Sequence, residues 1–114
     1  MPYISTKVNV KISKEKEDAL KARFGQAISI FPGKSETYLM LSFEDECSLY
    51  FGGKNNFGIA FVDVKLFGRG DNTSYDKMTE EVTKIINEEL GISPSSVYVK
   101  YEEVDHWGWN GKNF

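Results

Sequence analysis

The chain begins with Met1-Pro2, and a proline at the second position supplies an unusual chemical group. A small residue such as proline permits removal of the initiator methionine, which would leave Pro2 with a free secondary amine. An α-amino group has an ordinary pKa of about 7.7–8.0. Partial burial or a nearby cation lowers that pKa, because both disfavour the protonated amine. Pro2 is therefore a candidate general base near neutral pH. The alternative is that Met1-Pro2 only marks N-terminal processing.

Lys34 is the candidate cation that would accompany such a base. It follows Pro32-Gly33, a turn that stops a predicted helix. Enolisation of a keto acid needs a base near neutral pKa, a fixed cation for the carboxylate and a dry pocket that strengthens both. A lysine close to Pro2 would serve twice, because its charge also lowers the pKa of the amine. The alternative is an ordinary lysine that the helix dipole favours near a helix C-terminus.

The sequence contains no pattern typical of other kinds of catalytic site. His106 is the only histidine and has no partner at metal-ligand spacing, so we expect neither a metal nor another cofactor. No nucleophile elbow for Ser/His/Asp catalysis is present, and Gly68-Arg69-Gly70 is too short for a phosphate-binding loop. Cys47 is the only cysteine, which excludes an intrachain disulfide and Cys-x-x-Cys chemistry.

The composition is that of one folded domain with an acidic surface. Of the 114 residues 40% are hydrophobic, including eight Phe, six Tyr and two Trp, so we expect a single domain over residues 1–114. The net charge of −3 argues against nucleic acid or an anionic membrane as a partner. No apolar run approaches the roughly 18–20 residues that span a bilayer, and the N-terminus lacks the features of a signal peptide. We therefore predict a cytoplasmic location, with export independent of a signal peptide as the alternative.

Alternation and short apolar runs predict five strands, at residues 3–10, 38–43, 49–51, 57–67 and 97–102. Apolar residues at helical spacing predict two helices. The first is capped by Ser13 and runs to about Ile30, and the second is capped by Asn72 or Thr73 and ends at Gly91. Their predicted core residues are Leu20, Phe24, Ala27, Ile28 and Phe31 in the first, and Tyr75, Met78, Val82, Ile85, Ile86 and Leu90 in the second.

The order of these elements forms an internal repeat. Residues 8–12 (Val-Asn-Val-Lys-Ile) resemble residues 62–66 (Val-Asp-Val-Lys-Leu), and each segment is followed by a helix, a turn and a strand. Two βαβ units predict an α/β (α+β) fold with a four-stranded mixed sheet and both helices on one face. The other face and the sheet edges then remain for neighbouring subunits, so we expect a homo-oligomer.

With the repeat in place, the sequence resembles the macrophage migration inhibitory factor family of the tautomerase superfamily over essentially its whole length. No single motif is specific, but their order and spacing together are. The segments that carry the resemblance are Met1-Pro2, Gly33-Lys34 followed by Tyr38, residues 72–75 (Asn-Thr-Ser-Tyr), residues 92–94 (Ile-Ser-Pro) leading into residues 97–99 (Val-Tyr-Val), and the tail at residues 108–110 (Gly-Trp-Asn) ending in Phe114.

The resemblance implies a homotrimer with an active site at each subunit interface. It also implies keto–enol tautomerase activity on phenylpyruvate-like 2-keto acids, and on dopachrome-like compounds in assays. Carried over by position, Pro2 would be the catalytic base and Lys34 would bind the substrate carboxylate. The backbone at Val64 would line the site, and Tyr98 would come from the neighbouring subunit. Tyr38, Trp107 and Phe114 would be aromatic walls.

Two positions depart from the family pattern. Lys100 stands where relatives often carry an asparagine that meets the hydroxyl of the substrate ring, which puts a preference for a 4-hydroxyphenyl ring in doubt. The Cys-x-x-Cys of vertebrate members falls on Gly58 and Phe61, so thiol oxidoreductase activity should be absent. A second function class stays open: a cytokine-like binding protein with a protein receptor as partner and a vestigial amine site.

Overall fold

The computed structural model describes all residues, 1–114, and contains two long helices and one main sheet. The principal elements are strand β1 (Pro2–Val8), helix α1 (Lys14–Ala27), strand β2 (Met40–Glu44), strand β3 (Ala60–Phe67), helix α2 (Asn72–Leu90) and strand β4 (Val97–Val104). Two short strands, β5 (Gly108–Trp109) and β6 (Lys112–Asn113), follow. Single turns of 3₁₀ helix occupy Ile28–Ile30, Glu36–Tyr38 and Pro94–Ser96.

The sheet confirms the predicted tandem βαβ architecture. The two matched segments are not equivalent in it, because residues 8–12 begin at the last residue of β1 whereas residues 62–66 lie within β3. The strand order of the sheet is β2-β1-β3-β4. Within each unit the strands are parallel, β1 with β2 and β3 with β4, whereas the central pair β1 and β3 is antiparallel. In that pair Pro2 lies opposite Leu66. The start of the chain therefore meets the C-terminal end of β3, and this contact locates the candidate base.

Both helices begin and end at residues suited to those positions. The Ser13 hydroxyl accepts a hydrogen bond from the Lys16 N–H at 3.2 Å, as predicted. The cap of α2 was predicted wrongly, because Asp71 rather than Asn72 or Thr73 accepts from the Ser74 N–H, at 2.7 Å. The helix therefore starts one residue earlier than expected. Gly91 ends α2 with φ +68, a backbone conformation that favours glycine.

One hydrophobic core lies between the sheet and the two helices. Alternate residues of β3 are buried, which places Ala60, Val62, Val64 and Leu66 on the helix side. The predicted core residues of α1 and α2 lie in the same cluster or pack against it. Both helices therefore cover the same face of the sheet. The opposite face carries half-buried and exposed side chains, among them Tyr3, Phe61, Asp63 and Lys100.

One predicted strand is absent, and two others start later than predicted. Residues 49–51 are not a strand; Phe51 forms only an isolated bridge with Lys54 across the Gly52-Gly53 turn. Strand β3 starts at Ala60 rather than at residue 57, because the Asn9 side-chain amide donates to the Phe57 carbonyl and accepts from the Ile59 N–H. Strand β2 starts at Met40, and Tyr38 belongs to the preceding 3₁₀ turn. No helix of the chain is both long and apolar enough to cross a membrane.

Candidate active site

Pro2 is a buried residue at the first position of β1. Proline is tolerated there because the first residue of a strand need not donate to the ladder. The carbonyl oxygen of Met1 accepts a hydrogen bond from the Phe67 N–H at 3.1 Å. This bond continues the pairing of β1 with β3 by one residue. It holds the N-terminus against the last residue of β3.

Lys34 reaches the same residue from the other side. Its Nζ donates to the Phe67 carbonyl oxygen at 3.2 Å. The Pro32-Gly33 turn directs the chain here, since Gly33 has φ +78 and the Lys34 N–H donates to the Phe31 carbonyl at 3.1 Å. Phe67 therefore binds Met1 through its N–H and Lys34 through its carbonyl. The α-amine of the chain and the Lys34 ammonium are brought together by one residue.

The Met1 α-amine responds to this environment. Burial lowers its pKa below the ordinary value, and the positive charge of Lys34 and a hydrogen bond with Lys34 lower the pKa further. All three causes favour the neutral amine, which is the form that accepts a proton. With Met1 in place, however, the Pro2 nitrogen is an amide nitrogen and has no basic lone pair.

A cavity of about 650 Å³ opens beside Pro2. Its walls are residues 1–3, residues 37–41 and residues 107–109, and most of these residues are hydrophobic. Such a volume is in the range of small-molecule sites, which are mostly apolar with a few polar groups. Tyr38 and Trp107, both predicted as aromatic walls, line the cavity.

A row of aromatic rings supports this wall. The Tyr38 and Trp109 ring centroids are 5.8 Å apart with an edge-on geometry. Trp109 stacks on Phe114 at 6.5 Å, and Phe114 in turn lies 5.3 Å from the ring of Phe67. Phe114, predicted as a wall, therefore packs behind Trp109 instead of lining the cavity. The row ties the C-terminal hairpin to the end of β3.

Lys34 itself lines a second, smaller cavity of about 320 Å³. The other walls are Phe31, Pro32, Leu66 and residues 69–71. Met1, which contacts Lys34 through its α-amine and also lines the larger cavity, lies between the two spaces. The Lys34 ammonium has no carboxylate within ion-pair distance, although twelve such contacts occur elsewhere.

Comparison with known proteins identifies the fold and the family. The family model for macrophage migration inhibitory factor (MIF) matches residues 1–114. The chain belongs to this family. No curated protein sequence matches significantly. Among solved structures, MIF2 of Leishmania major is similar at 32% identity, covering 100% of this chain and 97% of that chain with a TM-score of 0.92.

Two further structures show how widely the MIF fold is shared. The MIF homologue of Prochlorococcus marinus is 27% identical, with 98% of both chains covered and a TM-score of 0.83. Pt0534, solved after inactivation by 2-oxo-3-pentynoate, is 18% identical, with 97% of this chain and 95% of that chain covered and a TM-score of 0.82. The last likeness establishes the fold alone.

Two residues suggested by the family resemblance, Tyr98 and Lys100, lie away from Pro2 within one chain, and Val64 can contribute only its backbone. The Val64 side chain is buried in the core, so only its backbone is available to line a site. Tyr98 lies opposite Phe61 near the other end of the sheet and packs its ring on Phe51 at 5.1 Å. Lys100 is two residues further along β4. The expected contribution of Tyr98 and Lys100 from a neighbouring subunit therefore stays a prediction.

Lys100 forms ion pairs with two carboxylates of this chain. Its Nζ lies 3.2 Å from Glu102 and 3.8 Å from Asp63. Lys65 completes the cluster, at 2.8 Å from Asp63 and 3.6 Å from Glu102. This position of the MIF fold therefore carries a charge network on the face of the sheet that the helices do not cover.

Several cavity residues were missed from the sequence. Met40 lines the cavity and lies opposite Tyr3, but this follows only from the parallel register of β1 and β2. The sequence marks Trp109 only as part of the tail that carries the family resemblance. No local motif marks residues 69–71 as neighbours of Lys34. Only the three-dimensional structure shows that Met40, Trp109 and residues 69–71 line these cavities.

Proposed function

We propose that this protein is a keto–enol tautomerase that acts on 2-keto acids of the phenylpyruvate type, with activity on dopachrome-like compounds as a related reaction. The observation that carries the proposal is the meeting of the N-terminal amine and Lys34 at Phe67, beside a largely apolar cavity. After removal of Met1, the Pro2 amine is the base and Lys34 is the cation for the substrate carboxylate.

The chemistry requires little more than these two groups. Tautomerisation breaks a C–H bond next to the ketone and forms an O–H bond on the former carbonyl oxygen, so one proton moves and no electrons are transferred. The neutral Pro2 amine takes the carbon proton as general base, and the protonated amine then gives a proton to the enolate oxygen, which returns the amine to its neutral form. Lys34 holds the adjacent carboxylate, which orients the C–H bond toward the amine. The apolar walls exclude water and strengthen both interactions.

Family membership supports a reaction on 2-oxo acids. Pt0534, which shares the fold, is inactivated by a 2-oxo acid, 2-oxo-3-pentynoate. In this chain the retained features are the proline at the second position and a lysine without a carboxylate partner. We further propose that the site is completed in a homotrimer, where Tyr98 and Lys100 of a neighbouring subunit would face the cavity.

The deciding experiment compares the protein with and without Met1. Mass spectrometry establishes the N-terminus of each preparation, and phenylpyruvate tautomerisation is then measured on both. We expect activity only after Met1 removal, because retained Met1 converts the base into an amide nitrogen. The rate should rise with pH through an apparent pKa below the ordinary α-amino value of about 7.7–8.0, since burial and Lys34 both favour the neutral, active amine.

Pro2→Gly, processed to a free primary amine, is the matched variant. It retains a basic amine but loses the ring that sets the direction of the lone pair, so it should keep only a small fraction of the activity. Equal activity with and without Met1 would rule out the Pro2 amine as the general base. In that outcome the cytokine-like binding protein is the function to test next.

A further inference from the structure

The wall that faces Lys34 in the smaller cavity is a short loop. Arg69, Gly70 and Asp71 form this wall, between the end of β3 and the start of α2. Arg69 is largely exposed, with 73% of its side chain accessible. The loop also begins directly after Phe67, whose carbonyl holds Lys34. The loop therefore continues the chain directly from the residue that directs Lys34, and it also faces Lys34 across the smaller cavity.

Glu103 provides that anchor. One of its carboxylate oxygens, Oε2, accepts hydrogen bonds from the Gly70 N–H at 2.9 Å and from the Tyr75 hydroxyl at 2.7 Å. The other, Oε1, accepts from Arg69 Nη1 at 3.1 Å. One carboxylate on β4 thus binds two residues of the loop and the first turn of α2. No other side chain in the structure accepts from more than one residue of this loop.

The fit of the loop against this anchor is close. A Cβ atom built on Gly70 would lie 2.8 Å from a ring carbon of Tyr75 and 2.9 Å from its hydroxyl oxygen. Gly70 therefore packs directly against Tyr75, whose hydroxyl donates to the same Glu103 carboxylate. The Gly68 N–H donates to the Val104 carbonyl at 3.1 Å, which joins the loop to the next residue of β4. The end of β4 holds both halves of the loop.

Glu103 is ionised throughout the neutral range. The hydrogen bond from the Gly70 N–H lowers its pKa, and the bonds from the Tyr75 hydroxyl and the Arg69 guanidinium lower that pKa further. The three donors are therefore held by a carboxylate, which is a stronger acceptor than a neutral group.

We propose that Glu103 is a positioning residue for substrate carboxylate binding: it anchors the Gly68–Asp71 loop, and through the Phe67 carbonyl it holds the Lys34 ammonium in place. This role rests on the proposed function of Lys34. Glu103 touches neither the amine nor the cavity beside Pro2. Pro2 is held by the β1–β3 ladder instead. Loss of Glu103 should therefore affect binding of the acid more than the proton transfer.

The test uses Glu103→Ala, Glu103→Gln and a control, Glu89→Ala, in the processed full-length protein. Glu89 also pairs with cations, Arg23 at 3.1 Å and Lys16 at 3.6 Å, but does so between the helices and away from the site. Steady-state tautomerisation is measured with phenylpyruvate and with its methyl ester, and circular dichroism verifies that each variant is folded.

For Glu103→Ala we expect KM for phenylpyruvate to rise about fivefold or more while kcat stays within about twofold, and KM for the ester to stay unchanged. Glu103→Gln keeps a carbonyl oxygen for the Gly70 or Tyr75 donor, so its KM should return to within about twofold of the parent. Glu89→Ala should leave both substrates unaffected. An unchanged KM in Glu103→Ala, or equal rises for acid and ester, would overturn the proposal.

Hydrogen exchange gives a readout that does not depend on turnover. The Gly70 amide should exchange at least about tenfold faster in Glu103→Ala than in the parent protein and in Glu89→Ala. Unchanged exchange would refute the anchoring role even if the kinetics were altered. If the parent protein shows no tautomerase activity, the proposed function fails, and accelerated exchange would still establish Glu103 as the anchor of the loop.

Discussion

At the scale of single residues, the candidate site depends on one backbone unit. The N–H of Phe67 binds Met1 and its carbonyl binds Lys34, so two nitrogen groups of the same charge meet in a partly buried place. Like charges disfavour double protonation. Burial and the Lys34 charge therefore lower the pKa of the Met1 α-amine, which moves this amine toward its neutral form without a carboxylate or a histidine.

The role of Lys34 gives a prediction at this scale. Lys34→Ala should weaken binding of 2-keto acids more than binding of their esters, because only the acid has a charge for the ammonium. A hydrogen bond to a charged group is worth roughly 1.5–3 kcal/mol, which corresponds to about a ten- to hundredfold change in affinity. Ligand titration with phenylpyruvate and its methyl ester measures the difference. An equal loss of affinity for the acid and the ester would show that Lys34 does not bind the substrate carboxylate.

The two central residues of the site could be proposed from the sequence, whereas several of its walls could not. A proline after the initiator methionine is visible in any sequence, and Lys34 follows a clear Pro-Gly turn. Met40 and Arg69 carry no such local signal. Met40 reaches the cavity only because β2 pairs in parallel with β1. Arg69 lines the same cavity as Lys34 and binds Glu103, which is distant from both in sequence. Contacts between distant parts of the chain are not encoded in local spacing.

At the scale of elements, the sequence pattern predicted the two helices and the four-stranded mixed sheet, and the errors lie where partners distant in sequence decide the structure. Leu49 and Phe51 have the composition of a strand, but no neighbouring strand pairs with them. Residues 57–59 look like part of β3, yet the Asn9 amide binds the Phe57 carbonyl and the Ile59 N–H, each at 2.8 Å. Hydrogen bonds to the Asn9 side chain replace strand-to-strand backbone hydrogen bonds there, so β3 starts later than predicted.

The C-terminal end of α2 supplies a prediction for the elements. Gly91 adopts φ +68, and its N–H donates to the Asn87 carbonyl at 2.9 Å. Gly91→Ala should lower the free energy of unfolding by about 1 kcal/mol, because a Cβ is disfavoured in the left-handed conformation. No atom would contact the new methyl group, so the loss comes from the backbone alone. Urea denaturation measures it, with Ala22→Gly in α1 as a propensity control. A loss below about 0.3 kcal/mol would contradict this assignment.

At the scale of the whole molecule, one chain leaves much apolar surface uncovered. Met40 on one edge strand is 68% exposed, and Tyr98 on the other edge strand is 59% exposed. The edges themselves are unpaired, since β2 and β4 each have a single neighbour in the sheet. Exposed edge strands with apolar side chains favour pairing with another chain. The proposed site would then combine the Pro2 cavity of one subunit with Tyr98 of the next.

This surface favours a homo-oligomer, and the family resemblance implies that the oligomer in solution is a homotrimer. Sedimentation at micromolar concentration should give about three times the chain mass of 13.0 kDa. Met40→Asp places a charge on the exposed edge of β2 and should shift the protein toward monomer, because burial of an unpaired carboxylate is costly. Lys11→Asp, at an exposed position before α1, makes a charge change of the same kind outside the edge strands and should leave the trimer intact. Tautomerase activity should fall together with the trimer fraction in Met40→Asp. A monomeric parent protein with full activity would show that one chain is a complete site, and Tyr98 and Lys100 would then have no part in it.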